Sequence, residues 1–296
     1  LTMGFDSRVL IAAAAFIVVG LSIKIALFPV HAWLPAAYAE APSAVAAFMA
    51  ATATKVAAYV LLRFAATVIG PVVVFATLPI GTALVWLACI AMVAGSIAAI
   101  YQTDFKRLLA WSSLAQIGYI VLGIGLGTDA GASAALTHMV NHGVIKCGLF
   151  VIAGVLVWHH GQATVANFAG MPQQSPWLFA AFVIGALGLI GVPGTGGFIS
   201  KWVLLQALIA ESAWVAVAAV LVSSLLAVIY CWRVVEIAWF GDSDASQPPP
   251  AASRTPVGAT LSLAMLSGLV VYLGVHSSWL VELTAQAGAD LFGVGR

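Results

Sequence analysis

Long apolar runs, each of about the twenty residues needed to cross a bilayer core, alternate with short polar breaks along almost the whole chain. They fall at approximately 9–28, 43–69, 80–101, 106–127, 131–157, 175–210, 213–239 and 256–280, which predicts about eight spanning helices. Two runs are interrupted. The first continues past a break through Pro29 and Pro35, and the sixth is cut by GVPGTGG at 191–197, with Pro193 and Gly194 in its middle. Interruptions of this kind predict broken helices, whose freed backbone groups are tolerated at membrane depth only inside protein or beside water. One stretch reads as a soluble linker, GDSDASQPPPAASRTP at 241–256, by its Asp, Ser and Pro content. The expected fold is therefore all-α, a polytopic transmembrane helix bundle of about eight spans with two broken helices.

Composition sharpens this without changing it. Hydrophobic residues make up 63% and charged residues 7% of the 296, against about 25% charged in a soluble domain. The net charge of +1 implies no polyanionic partner and argues against nucleic acid. Cys89, Cys147 and Cys231 all lie in apolar stretches without a CxxC pairing, as buried structural thiols do. The opening LTMGFDSR has no basic segment followed by a cleavage site. The chain starts with Leu and enters an apolar span almost at once, the pattern expected of a truncated or split protein. Lys106, Arg107, Arg233 and Arg254 group near one face, and Arg8, Arg63 and Arg296 near the other. The positive-inside rule then puts the 102–107 and 241–256 loops in the cytoplasm. Trp33, Trp158, Trp177 and Trp239 sit near span ends, where tryptophan anchors a helix at the interface.

Four lysines interrupt otherwise apolar spans: Lys24, Lys55, Lys146 and Lys201. Each costs about 2.5–3.5 kcal/mol at the centre of a membrane helix, so together they cost on the order of 10–14 kcal/mol, as much as a domain's net stability. Such residues line a bundle interior or a wet cavity and mark ion or proton paths. Lys24 precedes Pro29 and Lys201 follows Gly197, so each stands beside a predicted break. The plainer alternative is a pair of kinked helices with snorkelling lysines. His138, His142 and Lys146 recur every four residues in LTHMVNHGVIKCGLF, on one helical face over roughly 12 Å. Imidazole titrates near neutral pH and lysine responds readily to desolvation, so the stripe suits a proton relay. A metal site would need further ligands, and this span holds no carboxylate. Histidines satisfied by interhelical hydrogen bonds are the remaining alternative. Glu40 either pairs with a lysine or with His31, or is solvated at the interface. Thr103 reads as the N-cap of the helix that follows, with Asp104 in its first turn. His159–His160 reads as a loop feature at a span end.

IKIALFPVHAWLPAAYAEAPSAVAAFMAATATKVAAYVLLRF resembles the signature segment of the proton-conducting antiporter-like family. That family holds the L, M and N subunits of complex I, the A and D subunits of Mrp-type sodium/proton antiporters, and membrane subunits of related hydrogenases. The resemblance continues through QTDFKRLLAWSSLAQIGYIVLG, HMVNHGVIKCGLF and GVPGTGGFISKW, over approximately residues 8–240 in the expected order. It implies that Lys24 is the lysine of the first repeat's broken helix and Lys55 the bridging lysine of the next helix. His138, His142 and Lys146 take the central relay positions, and Lys201 the terminal ionisable position on the second broken helix. The family core has about fourteen helices, and this chain resembles the last eight. On that basis 1–296 is a single transmembrane domain, with approximately 1–70 the end of a first repeat, 71–240 a second repeat and 241–296 a cytoplasmic loop and last helix. The family pairs the first broken-helix lysine with a glutamate on an earlier helix, and no residue here stands at that position; Glu40 does not match it.

The resemblance implies a proton-translocating subunit of a multisubunit sodium/proton antiporter, with wording nearest the D-type chains of Mrp antiporters. The alternatives are a proton-pumping membrane subunit of a complex I-type NADH-quinone oxidoreductase or hydrogenase, and a degenerate scaffold subunit without transport. A His-ligated metalloprotein fails on ligand count. The chain is expected to hold no redox cofactor and no metal, and to be enzymatic only through its complex. Its expected partners are other membrane subunits, protons and sodium, in the bacterial cytoplasmic (inner) membrane.

Overall fold

A computed structural model describes residues 7–241 and 255–293. Most of the 241–256 linker, with Arg254, and the terminal Arg296 lie outside the described residues. Within them each apolar run forms helix: α1 (Ser7–Ile25), α2 (Trp33–Glu40), α3 (Ser43–Val68), α4 (Ile80–Ile100), α5 (Phe105–Gly125), α6 (Asp129–His160), α7 (Pro176–Ile190), α8 (Gly196–Ala210), α9 (Trp214–Phe240), α10 (Val257–Val275) and α11 (Ser278–Gly293). The boundaries follow the apolar pattern closely because only helices satisfy their own backbone groups in lipid. The chain is an integral membrane protein. Among the described residues six helices are long and apolar enough to span by themselves, and α1/α2 and α7/α8 share their spans across a break.

α5 and α6 form the centre. α5 is buried along nearly all of its length, and α6, with 32 residues, runs about 48 Å and touches most of the other helices. The 160–165 segment is pinned to the start of α5 by two backbone bonds, Phe105 N–H to Ala163 O and Val165 N–H to Thr103 O, each 2.8 Å. The His160 end of α6 and the start of α5 therefore share one face of the bundle, and the Asp129 end lies at the other. Asp104, not Thr103, is the N-cap of α5: its carboxylate accepts the Arg107 N–H at 2.7 Å. The one-residue shift arises because Thr103 is already committed through its carbonyl to Val165. His159 and His160 are the last turn of α6 rather than a loop, and His159 Nε2 lies 3.0 Å from Thr255 Oγ1.

Both expected breaks form. The first begins at Ala26, buried and left-handed with φ 62°, just before the chain passes through Phe28–Pro29. A non-glycine residue in that conformation is strained. The second lies between Gly191, the left-handed C-cap of α7, and Thr195, the N-cap of α8. The halves α7 and α8 fold tightly together: a Cβ on Gly197 would stand 1.8 Å from the Gly188 carbonyl oxygen. Any side chain at 197 is excluded by backbone.

A third interruption has no Pro, and its one glycine, Gly274, lies inside the last turn before the stop. The expected span 256–280 stops at Val275, and after His276 and Ser277 the chain resumes as α11. α10 and α11 together run antiparallel to α6. Thr255 meets His159, Val270 packs beside Ile145, and Gly288 packs against the Asp129 carbonyl. α11 was not legible as a span because its apolar face is narrow: Leu280, Thr284, Gly288 and Leu291 are buried, while Trp279 and Leu283 are exposed.

Candidate functional site

Intramembrane polar side chains converge where α5, α6 and α8 cross. Lys55, His138, His142, Lys146 and Lys201 are all buried, Lys146 completely, while no Asp or Glu is among the buried residues described. His142 and Lys146 stand near the middle of α6, so the cluster lies deep in the bundle.

Each cation is held by oxygen. Lys146 Nζ donates to the Leu109 carbonyl at 2.8 Å and to Ser112 Oγ at 2.6 Å. Lys201 Nζ donates to the Leu189 and Ile190 carbonyls, both at 2.9 Å, and to Ser224 Oγ at 3.1 Å. Those two carbonyls end α7, so the break supplies the acceptors that a continuous helix would have used internally. Lys201 also lies 4.8 Å from the centroid of the Tyr119 ring, a favourable cation–π position. Lys55 Nζ donates to the Ala50 carbonyl. That carbonyl lies in a stretch of α3, Met49–Ala53, whose turns are widened, a distortion common at functional sites. The widened stretch abuts α6, where Gly143 lets the Ala51 carbonyl come close.

The two histidines share the α6 face that carries Lys146. Their rings stack with centroids 5.8 Å apart and planes 8° apart. His138 Nε2 lies 3.0 Å from Gln116 Oε1, and its Nδ1 lies 2.8 Å from Ser200 Oγ. An amide oxygen only accepts, so Nε2 carries a proton. Ser200 Oγ is also 3.1 Å from the Gly197 carbonyl, and its single proton serves one acceptor at a time. With His138 neutral, Ser200 donates to Nδ1. With His138 protonated on both nitrogens, Ser200 turns to Gly197 and accepts instead. Ser200 can therefore hydrogen-bond His138 in either protonation state of the imidazole. His142 has no partner for either ring nitrogen among the described residues.

The other sequence-predicted residues divide. Lys24 stands apart from the cluster, exposed on a face of α1 that no described element covers. Glu40 is solvated, 81% exposed at the end of α2 and 3.9 Å from Arg107, and has no lysine or His31 for a partner. His31 stacks on Phe28 at 5.2 Å and meets Trp111 edge-on at 5.4 Å, within the first break. Pro29, Pro193 and Gly194 lie in the two breaks as expected. No three His, Cys, Asp or Glu side chains among the described residues gather as metal ligands do. The sequence reading missed Gln116, Ser112, Ser200, Tyr119 and Ser224. Ser112, Gln116 and Tyr119 recur at helical spacing in an apolar run, which was the available signal. Lys106 was read as a surface cation but is buried, donating to the Ala41 carbonyl at 3.0 Å.

Known proteins share this architecture. The family described as "NADH:quinone oxidoreductase/Mrp antiporter, TM" matches residues 1–227. The chain is 42% identical over 294 residues to NADH-quinone oxidoreductase subunit N of Desulforudis audaxviator, covering 95% of this chain and 58% of that one. It is 31% identical over 268 residues to the putative antiporter subunit mnhD2 of Staphylococcus haemolyticus, covering 89% and 53%. It thus spans little more than half the length of the curated relatives it matches. Among solved structures, the Mrp complex from a Dietzia species matches with TM-score 0.85 at 24% identity, covering 95% of this chain and 59% of that one. That likeness concerns fold alone. Respiratory complex I from Thermus thermophilus matches with TM-score 0.78 at 28% identity, covering 94% and 58%. With a family match over more than two thirds of its length, fitting the broken helices and buried lysines described above, this chain belongs to the NADH:quinone oxidoreductase/Mrp antiporter transmembrane family.

Proposed function

We propose that this chain carries protons through the membrane along Lys55, Lys146, His142, His138 and Lys201, as one subunit of a multisubunit assembly in a bacterial cytoplasmic membrane. The observation that carries the reading is a buried file of three lysines and two histidines with no buried carboxylate among the described residues. Packing alone does not account for it, since each intramembrane cation costs several kcal/mol. Neutral and protonated forms of the three lysines and of His138 differ in how many of the surrounding oxygens they can satisfy, so a charge arriving at one site shifts its neighbours. Lys24 joins the path only where another element covers α1 and supplies it with a polar partner. The approximate repeat boundaries near residues 70 and 240 belong to the same reading.

Two assemblies fit. The 42% identity to a subunit N supports a redox-linked complex; the mnhD2 likeness supports a sodium/proton antiporter. In inverted native-membrane vesicles, the first predicts proton uptake driven by quinone reduction, the second by a sodium gradient. Lys146→Met should cut uptake at least about tenfold at normal assembly, since it removes a fully buried ionisable group from the file. Uptake at the unsubstituted rate would overturn the proposal.

A further inference from the structure

α6 carries a second row of polar side chains that the Lys/His file does not use. Ser133, Thr137 and Asn141 recur every four residues, over about 12 Å of one helical face. All three are buried, and so is Thr284, which faces them from α11. Thr284 Oγ1 lies 2.8 Å from Thr137 Oγ1 and 3.3 Å from Ser133 Oγ. Thr137 and Thr284 each also reach a backbone carbonyl, Ser133 O at 2.8 Å and Val281 O at 3.1 Å. A hydroxyl both donates and accepts. Each hydroxyl oxygen in the row can therefore bind an incoming proton while its own O–H bond to the outgoing proton breaks, and then reorient, with no net charge left behind.

The two ends of the row point the same way. At the shallow end Ser133 is one turn from Asp129, the exposed start of α6. At the deep end Asn141, 1% exposed, has no hydrogen-bond partner for its amide nitrogen or oxygen among the described residues. It sits in the crook of the second break, against Gly196, and α10 ends beside the same break, with Gly274 against Gly194. His138 and His142 flank it in sequence. Interhelical hydroxyl pairs are common glue in membranes, but glue does not explain an amide left unpaired at the end of the row, because buried polar groups are normally satisfied.

We propose that Thr137, Thr284 and Ser133 form the arm through which protons pass between the Lys/His file and the membrane face at Asp129, with Asn141 as the hydrogen-bonding group at its inner end. This rests on the proposed function, and the test separates the two. Proton uptake in native-membrane vesicles is measured for Thr284→Val, Thr137→Val, Thr284→Ser and Lys146→Met, each normalised to assembled chain. Valine keeps the shape and removes the hydroxyl; serine keeps the hydroxyl. The expected result is an uptake loss of about fivefold or more in both valine variants and in Lys146→Met, with Thr284→Ser above half the unsubstituted rate. Unchanged uptake in both valine variants, with loss in Lys146→Met, overturns the arm and leaves the file standing. Unchanged uptake in all four overturns both. Equal loss in Thr284→Ser and Thr284→Val also overturns the arm, because the hydroxyl is then not what matters. If Thr284→Val fails to assemble, Thr137→Val alone decides by the same criterion.

Discussion

At the scale of single residues, the site works by matching donors to a fixed set of oxygens. Lys201 Nζ fills three acceptors, two of them carbonyls that end α7. A glutamate there donates one hydrogen bond when protonated and none when ionised, against three from the ammonium. Lys201→Glu should therefore fall well below the unsubstituted rate while keeping more uptake than Lys201→Met, and equal loss in both would mean that the site needs a cation. Ser200 gives a second prediction. Its hydroxyl has two acceptors within reach, His138 Nδ1 and the Gly197 carbonyl. Ser200→Ala leaves one nitrogen of the imidazole without a partner, and should slow uptake about tenfold if the lost bond costs about 1.4 kcal/mol. Ser200→Thr should restore most of the rate. By contrast Glu40→Gln, at an exposed ion pair, should change stability by less than about 1 kcal/mol and leave uptake unchanged.

Elements are where the cations get their acceptors. A continuous helix has no free carbonyls in its middle, and each of the core lysines solves this differently. Lys201 uses the end of α7, Lys55 uses a carbonyl in the widened turns of α3, and Lys146 uses a carbonyl and a serine of α5. The break between α7 and α8 depends in turn on Gly197, whose missing Cβ lets the Gly188 carbonyl approach. Gly197→Ala should destabilise the bundle by roughly 1–3 kcal/mol or more, as overpacking does, and should appear as a lowered unfolding temperature in detergent and reduced assembled protein. A normal unfolding temperature would mean that the two halves can separate without cost. Pro29 and GVPGTGG announced two breaks in the sequence. The interruption at His276–Ser277 was not read there, because Gly274 alone does not stop a helix and the stop depends on α11 turning to pack on α6.

For the whole molecule, α1 is the open side. Phe16, Val19 and Ile23 are exposed on it together with Lys24, beside an apolar cleft of about 380 Å³ between α1 and α4. An intramembrane lysine facing lipid is costly, so this face should be covered by protein carrying a polar group. A photo-reactive residue at Phe16 should cross-link to another membrane segment of the native assembly, and cross-linking to lipid alone would contradict the proposed covering. A polar crevice of about 480 Å³ opens instead at the His160 end of α6, around Glu40, Asp104, Lys106 and Gln162.

What the sequence determined by itself follows from local physics. Spans, their order and two of the breaks were legible because a bilayer demands about twenty apolar residues per crossing and because Pro and Gly interrupt helices in recognisable ways. The same reasoning marked Lys55, Lys146, Lys201 and the two histidines, since ionisable residues in apolar runs stand out at once. The tertiary structure decided which of these residues meet. Lys24 looked like the others in its run, yet the fold leaves it outside because burial depends on neighbours from other helices. Lys106 looked like a loop cation, yet the end of α2 covers it. Gln116, Ser200 and Thr284 are ordinary as single letters, and acquire meaning only when α5, α8 and α11 bring them against α6. A hydrogen bond is a property of two positions distant in the chain, and no single run of sequence encodes it.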